Sequence, residues 1–275
     1  MLWNGLIFAA ILYVGMLVPV YIFQRSLLYI PDQQVPSEIH LSKTDFATVA
    51  IALDDGTRLT SLWRAPKDSS QPVMIHFHGN AGSHYDRIDL YQAMAREGAG
   101  VLGAGYPGYG GNPGSPDEDS LYAIAQANYN WLLANGVKPR RIVIVGQSLG
   151  SGVATWLASR NEAAGLILEA AYTGMDDMAH RQFPFLPART LAKDKYRSVD
   201  RIDQINMPLS WIHGKNDQLI PYAMGQRLFD AAKQPKTAHP IENGGHNDLW
   251  ALGIDEIIRK EANRFVGMQG LAGPT

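Results

Sequence analysis

The chain of 275 residues contains no cysteine. That excludes disulfides, thiolate nucleophiles and cysteine-ligated zinc together. It does not fix a redox compartment, because a chain long enough for a large core needs no crosslinks. Charge is sparse and nearly balanced, 24 Lys and Arg against 26 Asp and Glu for a net charge of −2, with no basic cluster. There is accordingly no footprint for nucleic acid. Internal repeats and low-complexity tracts are missing too, so the length reads as one large α/β domain rather than an array.

Charge is wholly absent from Leu2 to Phe23, an almost continuous apolar run. About 20 such residues are what a helix needs to cross the hydrocarbon core. A cleaved signal peptide would carry a basic start and small residues at its end, whereas this run begins Met1-Leu2-Trp3-Asn4 and ends Val20-Tyr21-Ile22-Phe23. An uncleaved single-pass anchor over residues 1–24 is therefore expected, with Trp3 and Tyr21 at the interfaces and a globular domain over 25–275. Its orientation is barely specified, since only Arg25 and Lys43 follow closely and favour that side as cytoplasmic. Residues 25–45 read as a polar connector without sustained periodicity.

Beyond it, Phe46–Leu53 and Leu59–Arg64 flank Asp54-Asp55-Gly56-Thr57, a hairpin signal. Strand-like runs then recur at Val73–Gly79, Val101–Gly105, Ile142–Val145, Leu166–Leu168, Leu209–His213 and near Ala238. Helical stretches separate them, including Tyr85–Arg96, a segment capped by Asp117 or Ser115 and stopped at Gly136, and a last helix beyond Asn247. Alternation of this kind predicts crossover units and a mostly parallel sheet with antiparallel N-terminal strands. Regularity loosens between Ala170 and Asn206, a short cap insert of about residues 171–206 containing Phe183-Pro184-Phe185-Leu186-Pro187.

The run Arg141–Val145 enters Gly146-Gln147-Ser148-Leu149-Gly150 and leaves into Gly152–Ala158. Strand, tight turn and helix are the setting in which Gly-x-Ser-x-Gly exposes a nucleophilic serine. A serine hydroxyl is a weak nucleophile, so Ser148 requires a base, and the base a carboxylate. Of eight histidines, His246 alone sits in a flexible Gly-rich loop, Asn243–Asp248, before a helix. Asp217 follows the strand ending at His213 and stands where catalytic groups of open α/β sheets gather, at the carboxyl end. Glu169 is the rival acid, and Asp248 reads as a helix cap. For the oxyanion, the N–H of Leu149 follows the nucleophile, and His78-Gly79-Asn80-Ala81-Gly82 offers the N–H of Asn80 after an earlier strand.

Taken together, His78–Gly82, the Gly105-Tyr106-Pro107-Gly108-Tyr109-Gly110 loop, the elbow, the Asp217 loop and Gly245-His246 resemble the α/β-hydrolase superfamily. Over residues 25–266 they are most similar to its membrane-anchored branch of monoacylglycerol lipases, lysophospholipases and protein depalmitoylases. The resemblance implies hydrolysis of an ester or thioester on a lipid-like or acylated substrate, with Gln147 where many members carry histidine. Neither a metal nor an organic cofactor is required. A serine peptidase and a non-catalytic binding member of the fold are the alternatives, and an intact set of triad and oxyanion candidates speaks against the second.

Overall fold

The computed structural model describes residues 2–271. Its centre is an eight-stranded sheet, and the hydrophobic pattern explains how each strand is buried. After helix α1 (Leu2–Leu28), a two-residue strand β1 (Ile30–Pro31) and a helical turn α2 (Glu38–Leu41), strands β2 (Ala47–Ala52) and β3 (Arg58–Arg64) form the expected antiparallel hairpin. Then come β4 (Val73–Phe77), a short β5 (Ala81–Gly82), helix α3 (Ile88–Met94) and β6 (Gly100–Gly103). Helix α4 (Glu118–Ala134) leads to β7 (Ile142–Gln147), α5 (Leu149–Ala158) and β8 (Gly165–Glu169). The insert holds α6 (Met175–Gln182) and α7 (Ala188–Leu191), and β9 (Leu209–Gly214), α8 (Tyr222–Ala231), β10 (Lys236–Ile241) and α9 (Ile254–Leu271) finish the chain. The sheet order is β10-β9-β8-β7-β4-β6-β3-β2, parallel from β10 to β6 and antiparallel at β3 and β2.

Because side chains alternate across a strand, a strand with helices on both faces must be apolar throughout. In β7, Ile142 and Ile144 join the core layer under α4, α5 and α8, while Val143 and Val145 join the layer under α3 and α9. Val73, Ile75 and Phe77 of β4 likewise face the first layer and Met74 the second. Asp117 caps α4 by accepting the N–H of Ser120 at 2.8 Å, and the Ser120 hydroxyl accepts the Asp117 N–H at 2.9 Å. That reciprocal pair satisfies two otherwise unpaired donors.

Several boundaries differ from the sequence reading. Residues 25–45 are not a featureless link: Arg25–Leu28 complete α1, Tyr29 is buried in the core, and Ile30–Pro31 pair in parallel with Ala81–Gly82. Those partners are 51 residues apart, so no local pattern could signal them. The stretch expected as one helix from Tyr85 splits into a 3-10 turn (Tyr85–Arg87), α3 and a further turn in which Glu97 takes a positive φ of 66°. Asp248 does not cap α9, which starts six residues later; its carboxylate accepts the Gly245 N–H at 2.7 Å and braces the His246 loop.

Candidate active site

Ser148 stands between the last residue of β7 and the first of α5, at φ 50°, ψ −118°. For a side-chain-bearing residue this backbone costs on the order of 1–3 kcal/mol and persists only where its surroundings enforce it. Two glycines do so. A Cβ on Gly150 would lie 2.0 Å from the Phe77 carbonyl oxygen, and one on Gly146 would lie 2.5 Å from both the Ala154 Cβ and the Gly150 oxygen. Only hydrogen at those positions lets α5 descend onto β4 and β7. The Ser148 N–H donates to the Glu169 carbonyl at 2.9 Å, which ties the turn to the end of β8.

His246 Nε2 lies 3.0 Å from Ser148 Oγ, and its Nδ1 lies 2.7 Å from Asp217 Oδ2. The loop after β9 orients that carboxylate: Asp217 Oδ1 accepts the N–H groups of Leu219 at 2.9 Å and Ile220 at 2.8 Å. His213 adds a contact that has no local signature in the chain. Its Nδ1 accepts the Trp211 indole N–H at 3.2 Å, so Nε2 carries the proton and points at the Ile220 carbonyl at 2.9 Å and at Asp217 Oδ2 at 3.4 Å. Burial alone would raise the Asp217 pKa, but hydrogen bonding from His213 and His246 outweighs it and holds the carboxyl well below the ordinary carboxylate range. Asp217 is thus an anion throughout the physiological pH range.

Glu169 sits elsewhere. Its buried carboxylate accepts Gln147 Nε2 at 2.9 Å and the Trp250 indole N–H at 3.0 Å, and burial raises its pKa. The pair of donors turns it toward the elbow's glutamine, and the His246 Nδ1 is already engaged by Asp217. Gln147 and Trp250 were not legible as partners, because residues 147, 169 and 250 converge only through the sheet.

The loop after β4 lies against Ser148: a Cβ placed on Gly79 would be 3.5 Å from the Ser148 Cβ. Its shape is fixed on either side of the Asn80 N–H. His78 stacks on Tyr106 at 4.0 Å between ring centroids, and the Tyr106 hydroxyl donates to the His78 carbonyl at 3.0 Å. The Asn80 carboxamide bridges the exit of α1, accepting the Ile30 N–H at 3.3 Å and the Tyr109 hydroxyl at 3.2 Å while donating to the Leu28 carbonyl. Leu149 begins α5, so its N–H belongs to the positive end of that helix. Ser148, Asp217, His246, Asn80 and Leu149 are therefore gathered at the carboxyl ends of β4, β7 and β9.

Just behind this loop are three histidines that burial keeps neutral. Desolvation lowers the pKa of His76 and of His84 to about 3, and that of His78 well below its ordinary value. In the unfolded chain they take up protons near pH 6.5, so the unfolded state binds more protons below that pH and stability falls as pH falls. Each such group contributes about 1.4 kcal/mol per pH unit, or ~4 kcal/mol per unit for three, once pH is well below 6. Stability measured by chemical denaturation of the detergent-solubilised chain is expected to drop steeply from pH 6 to pH 4, with a shallower slope in His84→Phe. A flat profile over that range would contradict the neutral buried state.

A sheet of this order, with a strained serine on the turn into a helix and a histidine and carboxylate delivered from loops beyond it, defines the class of α/β proteins with a strand–turn–helix elbow. The chain belongs to the α/β-hydrolase superfamily: residues 72–195 match the family model described as the alpha/beta hydrolase fold. It is 36% identical over 238 residues to an uncharacterised protein of Mycobacterium tuberculosis, covering 85% of this chain and 84% of that one. It is 30% identical over 200 residues to human alpha/beta hydrolase domain-containing protein 17B, covering 72% of this chain and 68% of the relative. A zebrafish lysophosphatidylserine lipase is 32% identical over 189 residues, covering 62% of this chain and 49% of the lipase. Among solved structures, a Pyrococcus furiosus esterase superposes with a TM-score of 0.68 over 86% of this chain and 97% of its own, at 18% identity, a likeness of fold. These relatives support a hydrolase.

Proposed function

We propose that the protein is a membrane-anchored serine hydrolase that cleaves carboxylic ester or thioester bonds of lipid-like or acylated substrates. The observation that carries this reading is the relay of 3.0 Å and 2.7 Å from Ser148 through His246 to Asp217, set on a strained turn. In the first half-reaction Ser148 Oγ bonds to the substrate carbonyl carbon as its proton passes to His246 Nε2. The oxyanion that forms is held by the N–H groups of Asn80 and Leu149. Collapse of the intermediate breaks the bond to the alkoxide or thiolate, which leaves with the proton from His246. Water then adds to the acyl-enzyme, gives a proton to His246, and releases the acid as that proton returns to Ser148. Asp217 keeps the imidazole in the tautomer that can accept at Nε2.

Domain organisation follows the same reading: an anchor of about residues 1–24, then a hydrolase domain over 25–275 with its short cap at about 171–206. The helix from Trp3 to Leu28 contains an 18-residue window with a mean hydropathy of 2.4 and is long and apolar enough to span a bilayer. An ester or thioester with an acyl chain is the substrate such a position favours, and the name of the zebrafish relative supports a lipid substrate. The test is labelling of the full chain by a fluorophosphonate probe, followed by a panel of monoacylglycerols, lysophospholipids, acyl-thioesters and short p-nitrophenyl esters. Covalent capture at Ser148 with turnover of at least one ester class is expected. A folded protein that the probe leaves unmodified would instead be a binding member of the fold.

A further inference from the structure

Helix α1 does not part from the domain at its last turn; the cap insert follows it outward. Arg25 forks onto Asp194 through two bonds of 2.9 Å. On the adjacent residue, the Gln24 side chain donates to the Leu191 carbonyl at 3.3 Å and accepts the Lys193 N–H at 2.7 Å, and one turn earlier Lys193 Nζ lies 4.4 Å from the Tyr21 ring centroid. Farther out, the Tyr13 hydroxyl donates to the Phe185 carbonyl at 2.6 Å. The insert therefore runs along α1 from the level of Arg25 to the level of Tyr13. At 1.5 Å per residue, those levels are about 18 Å apart.

The surroundings of α1 at that height are not suited to water. Ile11, Leu12, Val14, Val18 and Ile22 each expose more than half of their surface, and no charge occurs before Arg25. Tyr13 falls at the middle of the apolar run, so the solvent that suits α1 at Tyr13 is hydrocarbon, and the Phe185 backbone is held at the same depth. The tip is built for that solvent. Phe183 and Phe185 are exposed at 45% and 59%, and Pro184 and Pro187 carry no N–H. The N–H groups of Phe183 and Leu186 are used internally, at 2.9 Å to the Ala179 carbonyl and 3.0 Å to the Phe183 carbonyl. Irregular backbone is tolerated in hydrocarbon only when its polar groups are satisfied within the protein. Arg181, Arg189 and Lys193, all exposed, lie on either side of the tip in sequence and fit the headgroup layer.

We propose that the Phe183–Pro187 tip of the cap is a second membrane-inserting element, buried in the leaflet that α1 enters from the domain side. The partner is a phospholipid bilayer. Two attachment points fix the orientation of the domain as well as its proximity to the membrane. Arg25 also pairs with Asp117 at 3.0 Å, at the start of α4, which follows the carboxyl end of β6. The membrane thus faces the same end of the sheet as Ser148. Past its tip the insert returns to Tyr196, which packs on Gly152 of α5 and bonds to Tyr29 at 2.8 Å. Where Ser148 is the nucleophile of a hydrolase, as proposed above, an acyl chain would approach it from the bilayer; the insertion itself does not depend on that reading.

Because the chain has no cysteine, one substitution introduces one label. Full-length Phe185→Cys and, separately, Phe183→Cys are each labelled with an environment-sensitive fluorophore. Both are reconstituted in phosphatidylcholine–phosphatidylglycerol vesicles containing lipids with a nitroxide at the headgroup or deep in the acyl chain. Lys138→Cys, beyond the far end of α4, is the control. The two tip labels are expected to emit blue-shifted light and to be quenched several-fold more by the deep nitroxide than the control, while resisting aqueous iodide. Tip labels quenched by iodide and indifferent to both nitroxide lipids would overturn the proposal. Quenching by the headgroup nitroxide alone would overturn it also, by placing the tip at the surface. An absence of esterase activity in wild type would count against the hydrolase reading without changing either optical result.

Discussion

Ser148→Ala is expected to lower turnover of any accepted ester by about a factor of 10⁶, leaving the modest residual catalysis that binding and the oxyanion donors supply without a nucleophile. The same variant should not react with a fluorophosphonate. The fold should survive, for a structural reason. The serine side chain makes one hydrogen bond, to His246, and the turn around it is enforced by Gly146 and Gly150 together with the Ser148 N–H bond to Glu169. Alanine has the same backbone preferences as serine at φ 50°, so stability should change by about 0.5 kcal/mol or less. Turnover is measured with p-nitrophenyl esters and the monoacylglycerol panel, and folding by circular dichroism in the same detergent. Substantial hydrolysis by a folded Ser148→Ala chain would sink the assignment of the nucleophile.

The parts of this molecule that could be read from sequence are those whose physical cause is local. Strands β4, β7, β8 and β9 are buried on both faces, which forces continuous apolar runs; the elbow needs glycines at fixed offsets because backbone and Cβ atoms come within 2.0 to 2.5 Å of where side chains would stand. The helix cap, read as Asp117 or Ser115 and formed by Asp117, and the stop at Gly136, with φ 79°, are equally local. His246 was singled out by a Gly-rich loop that could aim a ring, and Asp217 by its place just past a strand.

What could not be read depends on residues brought together by the fold. His213 looks like one more buried strand residue until Trp211 is seen to fix its tautomer and turn it toward Asp217. Glu169 ends the strand beside the elbow strand and could serve as an acid, yet Gln147 and Trp250 hold it in another direction. The motif around Asn80 points to its N–H, whereas the role of its side chain is visible only in three dimensions. By bonding to both Leu28 and Ile30, the carboxamide joins the exit of the apolar helix to the loop beside Ser148. The end of α1 is therefore part of the scaffold of the site, and its position is linked to that of the Asn80 N–H.

The second large effect is expected from Asp217→Asn, and it separates the two carboxylates. Asparagine can keep the acceptor for the Leu219 and Ile220 N–H groups, but its amide then presents N–H to His246 Nδ1. That traps the imidazole with its proton on Nε2, where it cannot accept one from Ser148, and a loss in kcat of about 10⁴ is expected for a wrong tautomer of this kind. Glu169→Gln leaves the 2.7 Å contact between His246 and Asp217 intact and can still accept from Gln147 or Trp250. A loss of about 10-fold or less is expected, the size of effect that orientation of neighbouring groups produces. Rates of fluorophosphonate labelling and of ester hydrolysis at neutral pH measure both variants on one scale. Equal damage from the two substitutions would assign the acid jointly to Glu169 and Asp217, and greater damage from Glu169→Gln would transfer it to Glu169. Damage confined to Asp217→Asn follows from the geometry, because the only carboxylate oxygen within hydrogen-bond reach of His246 Nδ1 among the described residues is Asp217 Oδ2.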